Sequence, residues 1–356
     1  MTELDNLEIY RRYDPDGMLS DLHGLPGQCR QAWEKANKFA LPPDFKDIDK
    51  LVICGMGASA IGGDLLRSLT FELSKPLVFV NRGYDLPAFV DSKTLVITSS
   101  YSGNTEEILS AFTQTLDTRC KKLVITTGGK LGNLAQEKNV PIFTIDYHGQ
   151  PRAALGYSFI PLIALLCKTG FLENKSSRVE EMARTLEALL HNVAENVATP
   201  LNPAKQLAGK LFGKLVVIYG AGILSTVAQR WKSQCNENSK AWAFYETFSE
   251  LNHNAVVGYE FPKEVAGKVF VLMLRCPSLH PRILSRYQIT SEILEKVEVG
   301  HEIVDSQGKE HLTQMMSLVF LGDWVSYYLA ILNHTDPTPV KAIDYLKKRL
   351  SDTDTR

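Results

Sequence analysis

The sequence contains no paired cysteines and no excess of charge of either sign. Its six cysteines are spread singly, without a CxxC pair or a spacing typical of zinc sites, so neither a metal centre nor a disulfide framework is predicted. The 39 basic and 40 acidic residues give a net charge of −1, which points to neither a nucleic-acid nor a membrane partner. We therefore expect a reduced, cytoplasmic protein.

Long uncharged hydrophobic runs are also absent. The run at residues 159–167 is too short to cross a bilayer, and the run at residues 315–332 contains Asp323. The first residues are charged and lack the apolar core of a secretory signal. With 356 residues, 44% hydrophobic and 22% charged, the chain is typical of a soluble globular protein with two domains.

Short β-rich runs alternate with helical stretches between residues 50 and 145, which predicts an α/β domain with a doubly wound parallel sheet. The predicted strands cover residues 51–54, 77–80, 95–98, 123–126 and 142–145. After a mainly helical passage over residues 172–195, two prolines interrupt the pattern within residues 197–203. We therefore divide the chain into an N-terminal domain, 1–196, and a C-terminal domain, 197–356.

A second β-rich run at residues 214–222 repeats the pattern of residues 50–57. This repetition indicates that the α/β unit is duplicated. Each unit is predicted to be a flavodoxin-like domain with three layers, α/β/α.

A hydroxyl-rich turn follows the predicted strand at residues 95–98. Residues 99–107 contain three serines, a glycine, an asparagine and a threonine, and they open an amphipathic stretch. Unpaired N–H groups at a helix start suit a phosphate, so Ser100, Ser102 and Thr105 are predicted to bind one. The same residues would also suit an ordinary N-cap. The second unit has no copy of this turn at residues 275–278.

A glycine-rich turn at residues 55–60 allows three interpretations. It matches the G-x-G-x-x-A dinucleotide fingerprint, but the acidic residue for a ribose is missing, and Arg82 would instead face an NADP 2′-phosphate. Alternatively, both turns line one edge of the sheet, where Gly57 and Ser59 hold a sugar and the hydroxyl-rich turn holds its phosphate. A purely structural tight turn is the third interpretation.

Four segments together resemble the bifunctional phosphoglucose/phosphomannose isomerase family. They are residues 55–64, 100–107, 236–240 and 250–254. Members of that family have two sugar isomerase (SIS) domains, and the resemblance extends from about Tyr13 to the C-terminal helix. It implies a cofactor-free aldose–ketose isomerisation between fructose 6-phosphate and glucose 6-phosphate, and mannose 6-phosphate as well, through a cis-enediolate. Ala58 stands where the family often has glycine.

The resemblance also implies catalytic and binding roles. Glu237 is the base that moves a proton between C1 and C2, and Arg152 stabilises the enediolate. His253 acts in ring opening, at a site built partly by another subunit of a homodimer. From residue type alone, Asn236 and Asn238 offer donors that would orient the Glu237 carboxylate. The structural alternatives are a surface glutamate, a surface ion pair and a structural histidine.

Lys347 is implied as a further ring-opening residue. It lies on a predicted amphipathic helix, where Lys341 and Lys348 are alternatives and all three also suit a solvated surface. The apolar C-terminal helices would either join two subunits, as the resemblance implies, or complete the second core.

A function of another class shares the same fold. A non-catalytic SIS protein that senses sugar phosphates would need the phosphate turn but not a base or ring-opening groups. The set Glu237, His253, Arg152 and Lys347 therefore favours an enzyme over a sensor.

Overall fold

The computed structural model describes residues 3–353, and these residues form two parallel β-sheets packed against helices. The first sheet has five parallel strands in the order β2-β1-β3-β4-β5, which is the predicted flavodoxin-like order. The strands are β1 (Lys50–Cys54), β2 (Leu77–Asn81), β3 (Thr94–Ser99), β4 (Lys121–Thr126) and β5 (Ile142–Thr144). Each of them overlaps a predicted strand.

The helices of the first half cover both faces of this sheet. They are α1 (Leu7–Tyr13), α2 (Met18–Lys38), α3 (Gly57–Leu69), α4 (Glu106–Leu116), α5 (Gly129–Glu137), α6 (Leu155–Lys168) and α7 (Ser176–Val193). Alternate strand residues point to opposite faces, so Leu51 and Ile53 join the core with α2, α3 and α6. Val52 and Cys54 join a second cluster with α4 and α5. The result is the predicted three-layer arrangement.

The second half repeats the first four strands of this topology. Its sheet has four parallel strands in the order β7-β6-β8-β9. The strands are β6 (Leu215–Ala221), β7 (Ala243–Phe248), β8 (Val269–Arg275) and β9 (Gly300–Asp305). The helices are α8 (Pro203–Leu211), α9 (Ser225–Glu237), α10 (Lys263–Ala266), α11 (Pro281–Lys296), α12 (His311–Leu332) and α13 (Lys341–Thr353). The predicted duplication is confirmed.

Helix α12 forms the centre of the second half. It is the one helix within residues 3–353 that is long and apolar enough to cross a membrane, but 94% of its apolar window is buried inside the protein. Its single acidic residue, Asp323, accepts hydrogen bonds from Arg230 and Gln234, both at 2.8 Å. The buried core helix of a protein can be as long and as apolar as a transmembrane helix, and α12 is such a core helix.

The chain before α2 packs on the second half. Tyr10 stacks on Tyr327 of α12 at a centroid distance of 6.1 Å, and Tyr327 Oη donates to Asp14 Oδ2 at 3.0 Å. The segment that carries the predicted linker includes a short 3-10 turn, Thr199–Leu201, directly before α8. The division at residue 197 stays a prediction.

Candidate active site

The hydroxyl-rich turn joins β3 to α4 at the carboxyl edge of the first sheet. Thr105 is the N-cap of α4, but its side chain makes no capping hydrogen bond. Its hydroxyl lies 3.0 Å from Ser100 Oγ, and the exposed Ser102 accepts a bond from the Asn104 N–H at 3.2 Å. The first N–H groups of a helix have no partner within it, so the start of α4 keeps donors for an anion.

Gly103 fixes the shape of this turn. Its φ is +66°, and a Cβ at this position would lie 1.9 Å from the carbonyl oxygen of Gly128. Only glycine permits this close approach without a backbone shift. The Gly103 carbonyl in turn accepts a bond from the Leu131 N–H at 2.9 Å, which ties the turn to α5.

The glycine-rich turn lies beside the hydroxyl-rich turn. Cys54 at the end of β1 pairs with Thr98 near the end of β3, so the two turns leave adjacent strands. The strand order reverses between these two strands, which is where open α/β sheets bind ligands. Gly57 is exposed with φ +49°, and nothing lies within 4 Å of a Cβ built there. Ser59 follows in the first turn of α3 and is 9% exposed.

Arg82 is held by an acidic side chain of the same domain. Its guanidinium bonds the carboxylate of Asp64, a residue of α3 that is 1% exposed. Arg67 contacts the other oxygen of the same carboxylate at 3.2 Å. Arg82 thus has a carboxylate partner within its own domain, and the dinucleotide interpretation then rests on the glycine spacing alone.

Arg152 lies where the two halves meet, and it is 3% exposed. It belongs to a 3-10 turn, Pro151–Ala153, just before α6. Its Nε donates to Asn238 Oδ1 at 2.6 Å, and its Nη2 donates to the carbonyls of Pro337 and Thr338 at 2.6 and 2.8 Å. Burial lowers the pKa of Arg152, while the nearby Glu237 carboxylate opposes that shift. A guanidinium nevertheless remains charged in proteins.

Glu237 is the last residue of α9 and faces the remaining nitrogen of Arg152. Its Oε2 lies 3.7 Å from Arg152 Nη1, which also donates to Gln150 Oε1 at 3.2 Å. The structure therefore brings together two side chains that are 85 positions apart in the sequence (237 − 152). A partly exposed carboxylate next to a buried cation is the arrangement that proton transfer to and from a carbon acid requires.

The proposal that asparagines orient Glu237 is wrong. Asn238 bonds Arg152 through Oδ1 and donates from Nδ2 to Ser326 Oγ at 3.0 Å. Asn236 donates to the carbonyl of Ala241 at 2.8 Å. Successive residues around a helix end point in different directions, so Asn236 and Asn238 do not share a partner with Glu237.

A network of buried polar side chains holds Arg152 and α9 in place. Arg230 Nη2 donates to the backbone carbonyl of Arg152 at 3.0 Å and to Asp323 at 2.8 Å. Gln234, one turn further along α9, donates to the other oxygen of Asp323. Both Arg230 and Asp323 are buried, so α12 fixes the helix that ends at Glu237.

A tyrosine pair connects the phosphate turn to the loop that carries Arg152. Tyr101 Oη donates to the Tyr147 carbonyl at 2.6 Å and accepts from the Gly149 N–H at 3.2 Å. Tyr147 Oη donates to Asp21 Oδ1 at 2.5 Å, and burial raises the pKa of Asp21. The loop between β5 and Arg152 is therefore bonded both to the phosphate turn and to α2.

Two of the predicted residues lie away from this cluster. His253 is the exposed last residue of a 3-10 turn, Glu250–His253, and its side chain has no hydrogen bond or ion pair within residues 3–353. Lys347 is exposed on α13, and no bond among the described residues joins it to Glu237 or Arg152. Of the two C-terminal helices, α12 is buried in the core and α13 has no buried residue, so α12 alone completes the second core.

Some residues of the site could not be identified from the sequence. Asp21 and Tyr147 lie in segments with no motif, and the segment 336–338 contacts Arg152 only through backbone carbonyls, which leave no mark on side-chain type. Lys240 belongs to segment 236–240, which carries part of the family resemblance, but nothing in the residue pattern distinguishes it from a surface lysine.

Comparisons with known proteins agree with this geometry. A family model of the bacterial phospho-glucose isomerase C-terminal SIS domain matches residues 201–350. The bifunctional phosphoglucose/phosphomannose isomerase of Caldicellulosiruptor bescii is 46% identical over 94% of this chain and 99% of its own length. The enzyme of that name from Aquifex aeolicus is 36% identical over 89% of this chain and 94% of its own.

A solved structure agrees on the fold. A glucose-6-phosphate isomerase like protein from Thermus thermophilus superposes with a TM-score of 0.63 at 20% identity, over 96% of this chain and 99% of that one. Two duplicated α/β domains and one open phosphate-type turn thus define a double SIS-domain protein. The chain belongs to the bifunctional phosphoglucose/phosphomannose isomerase family.

Proposed function

We propose that this protein interconverts fructose 6-phosphate with glucose 6-phosphate and mannose 6-phosphate. The observation that carries the proposal is the Glu237 carboxylate, 3.7 Å from a buried Arg152 guanidinium. The family relatives, named for both aldoses, support the choice of substrates.

The mechanism assigns one role to each part of the site. Ser100, Ser102 and Thr105 bind the phosphate at the start of α4, and Gly57 and Ser59 contact the sugar. In the open-chain ketose, Glu237 removes a proton from C1 and returns it to C2, while the hydroxyl proton passes from O1 to O2.

Arg152 stabilises the charge that develops on oxygen in the enediolate. Nε and Nη2 are bonded to Asn238 and to the carbonyls of residues 337 and 338, whereas Nη1, which donates to Gln150, also faces Glu237 and would face the substrate. A fixed guanidinium suits this charge because it does not have to reorganise during the reaction. The face of C2 that receives the proton decides between the glucose and mannose products.

The first experiment measures products from fructose 6-phosphate, with glucose 6-phosphate resolved from mannose 6-phosphate and EDTA present. We expect both products from the native chain. Glu237→Gln should lower kcat by about 1,000-fold, because a general base contributes roughly 10²–10⁴-fold, while substrate binding persists. Binding without turnover by the native chain would support the sugar-phosphate sensor instead.

We further propose a cytoplasmic homodimer whose sites include His253 of the second subunit. The six cysteines are free, which suits a reducing compartment. The His253 side chain is exposed and has no partner among the described residues, and α13 exposes Ile343, Leu346 and Leu350 by 40%, 57% and 44%. An amphipathic helix without a buried residue favours burial against a second copy.

Mixing two inactive variants tests the shared site. Glu237→Gln and His253→Gln chains, unfolded and refolded together, would form mixed dimers in which one of the two sites has both native residues. Random pairing should then restore about a quarter of native activity, since half of the dimers are mixed and each has one complete site. No recovery, with dimers confirmed by light scattering, would place Glu237 and His253 in the same chain's site.

A further inference from the structure

Lys240 has a backbone conformation that glycine usually provides. Its φ is +53°, in the left-handed region, and it lies three residues after the end of α9. Residues with a side chain adopt this region at a cost, and glycine is the common choice just beyond a helix end. A strained backbone of this kind persists where surrounding contacts hold the residue in place, and the Lys240 ammonium makes such contacts.

The ammonium connects the end of α9 to the segment 336–338, which we call the strap. Lys240 Nζ donates to the carbonyl of Glu237 at 2.6 Å and to the carbonyl of Pro337 at 3.0 Å. The Glu237 carbonyl is one of the last in α9, where intrahelical partners are missing and a cation is favourable. Lys240 thus bonds the backbone of the residue assigned as the base.

The same strap carbonyl is also bonded by Arg152. The Pro337 oxygen accepts from Arg152 Nη2 at 2.6 Å, and the Thr338 carbonyl accepts from the same nitrogen at 2.8 Å. One strap carbonyl therefore joins Lys240 to Arg152, while Lys240 also bonds the backbone of Glu237. A movement of the strap would change the position of both side chains that the proposed mechanism uses.

We propose that Lys240 is a positioning residue of the isomerase, which fixes Glu237 and Arg152 relative to each other through the strap. The proposal rests on the proposed function. It assigns Lys240 a role separate from the ring-opening role implied for Lys347, because its ammonium contacts backbone carbonyls of the site.

The charge on Lys240 gives this role a pH dependence. Partial burial and the nearby Arg152 lower the pKa of Lys240 to about 8, against the opposing effects of Asp336 and Glu237. Above pH 8 the ammonium loses a proton, and its two bonds to carbonyls lose their charge assistance. We therefore expect kcat to fall on the alkaline side, around pH 8, with KM nearly constant.

Four variants test the proposal. Lys240→Met and Lys240→Gly should both lower kcat by about 10- to 100-fold, with KM changed less than about 3-fold, since small displacements at a reacting centre cost this much. Lys240→Gly should melt no lower than Lys240→Met, because glycine relieves the left-handed backbone. Lys240→Arg should recover most of kcat and lose the alkaline fall. Lys232→Met, on α9, is the control and should keep native kinetics.

Three results would overturn the role of Lys240. The first is native kcat in Lys240→Gly, and the second is an alkaline fall that persists unchanged in Lys240→Arg. The third is a loss of kcat that follows the melting temperature across all the variants, which would show a merely structural residue. If the native chain turns over no sugar phosphate at all, the proposed function fails first, and that outcome is visible before any variant is made.

Discussion

After β3 in the first half and after β8 in the second, the chain turns into a helix, but the polar groups of the two turns have different partners. In the first turn, the Thr105 side chain leaves the start of α4 uncapped. In the second, His280 Nδ1 accepts from the Arg282 N–H at 3.1 Å, and Ser278 Oγ donates to Gln314 at 2.6 Å. A side chain of the second turn caps its helix, whereas no side chain caps the start of α4 in the first.

The glycine turns of the two halves also differ, because the first is open and the second is covered by a side chain. Gly57 and Gly222 both have positive φ, +49° and +52°. A Cβ at Gly57 would meet nothing within 4 Å, whereas one at Gly222 would lie 3.2 Å from the Leu279 side chain. The duplicated unit thus keeps an open crevice in the first half and a covered one in the second. The second half contributes instead the carboxyl end of α9, with Glu237.

The largest expected effect is a loss of stability, and it is larger for the ion pair of Asp323 in the second half than for that of Asp64 in the first. Asp323→Ala leaves Arg230 buried without its partner and should lower the free energy of unfolding by about 3–5 kcal/mol. Asp64→Ala should cost only about 1 kcal/mol, because its partners Arg82 and Arg67 are 36% and 52% exposed and water replaces the carboxylate. Urea unfolding of both variants measures the difference, and equal losses would contradict it.

Much of the fold follows from local sequence pattern, and the exceptions are instructive. Strands β1, β3 and β4 read as continuous apolar runs because both faces of the first sheet are buried. The edge strands β7 and β9 contain charged residues, Glu246 in β7 and Glu302 in β9, and alternate less clearly, so their sequences gave no separate signal.

The site likewise has parts that follow from local sequence pattern and parts that do not. Its two turns were predictable because each is a short motif after a strand. The contacts of Arg152 were not, since they join it to Asn238 and to carbonyls of residues 337 and 338, which are 86, 185 and 186 positions away. Only the packing of α12 under α9 brings these groups together.

An intermediate effect compares the serines of the two turns. Ser102→Ala should raise KM for fructose 6-phosphate by at least about 10-fold, because a hydrogen bond to a charged group contributes roughly 1.5–3 kcal/mol. Ser278→Ala should leave KM unchanged and lower stability by about 1 kcal/mol, through loss of its bond to Gln314. Steady-state kinetics with thermal unfolding tests both, and a raised KM in Ser278→Ala would make the second turn a ligand site.

The smallest effect concerns a carboxylate of the first half, just before the predicted linker. His23 Nε2 lies 2.8 Å from Glu195 Oε2, and this hydrogen bond lowers the pKa of Glu195. A carboxylate with a lowered folded pKa stabilises the protein above its unfolded value, about 4.3, and loses that contribution as the pH falls through the folded value.

Glu195→Gln should therefore reduce stability at pH 6 by less than about 1 kcal/mol and flatten the loss below pH 4. Urea unfolding across this pH range measures the change. Glu137→Gln, at an exposed position of α5, is the matched control. An equally steep acid loss in the Glu195 variant would assign the acid sensitivity to other carboxylates.

The bonds from Arg152 to the strap have a consequence for biosynthesis. A chain grows from its N-terminus, so the first sheet and Arg152 are made long before residues 337 and 338, which supply two of its carbonyl partners. A nascent chain that has completed both sheets still lacks the acceptors that orient its central cation. The contacts that fix Arg152 are therefore completed only after residues 337 and 338 have been made, well after both sheets.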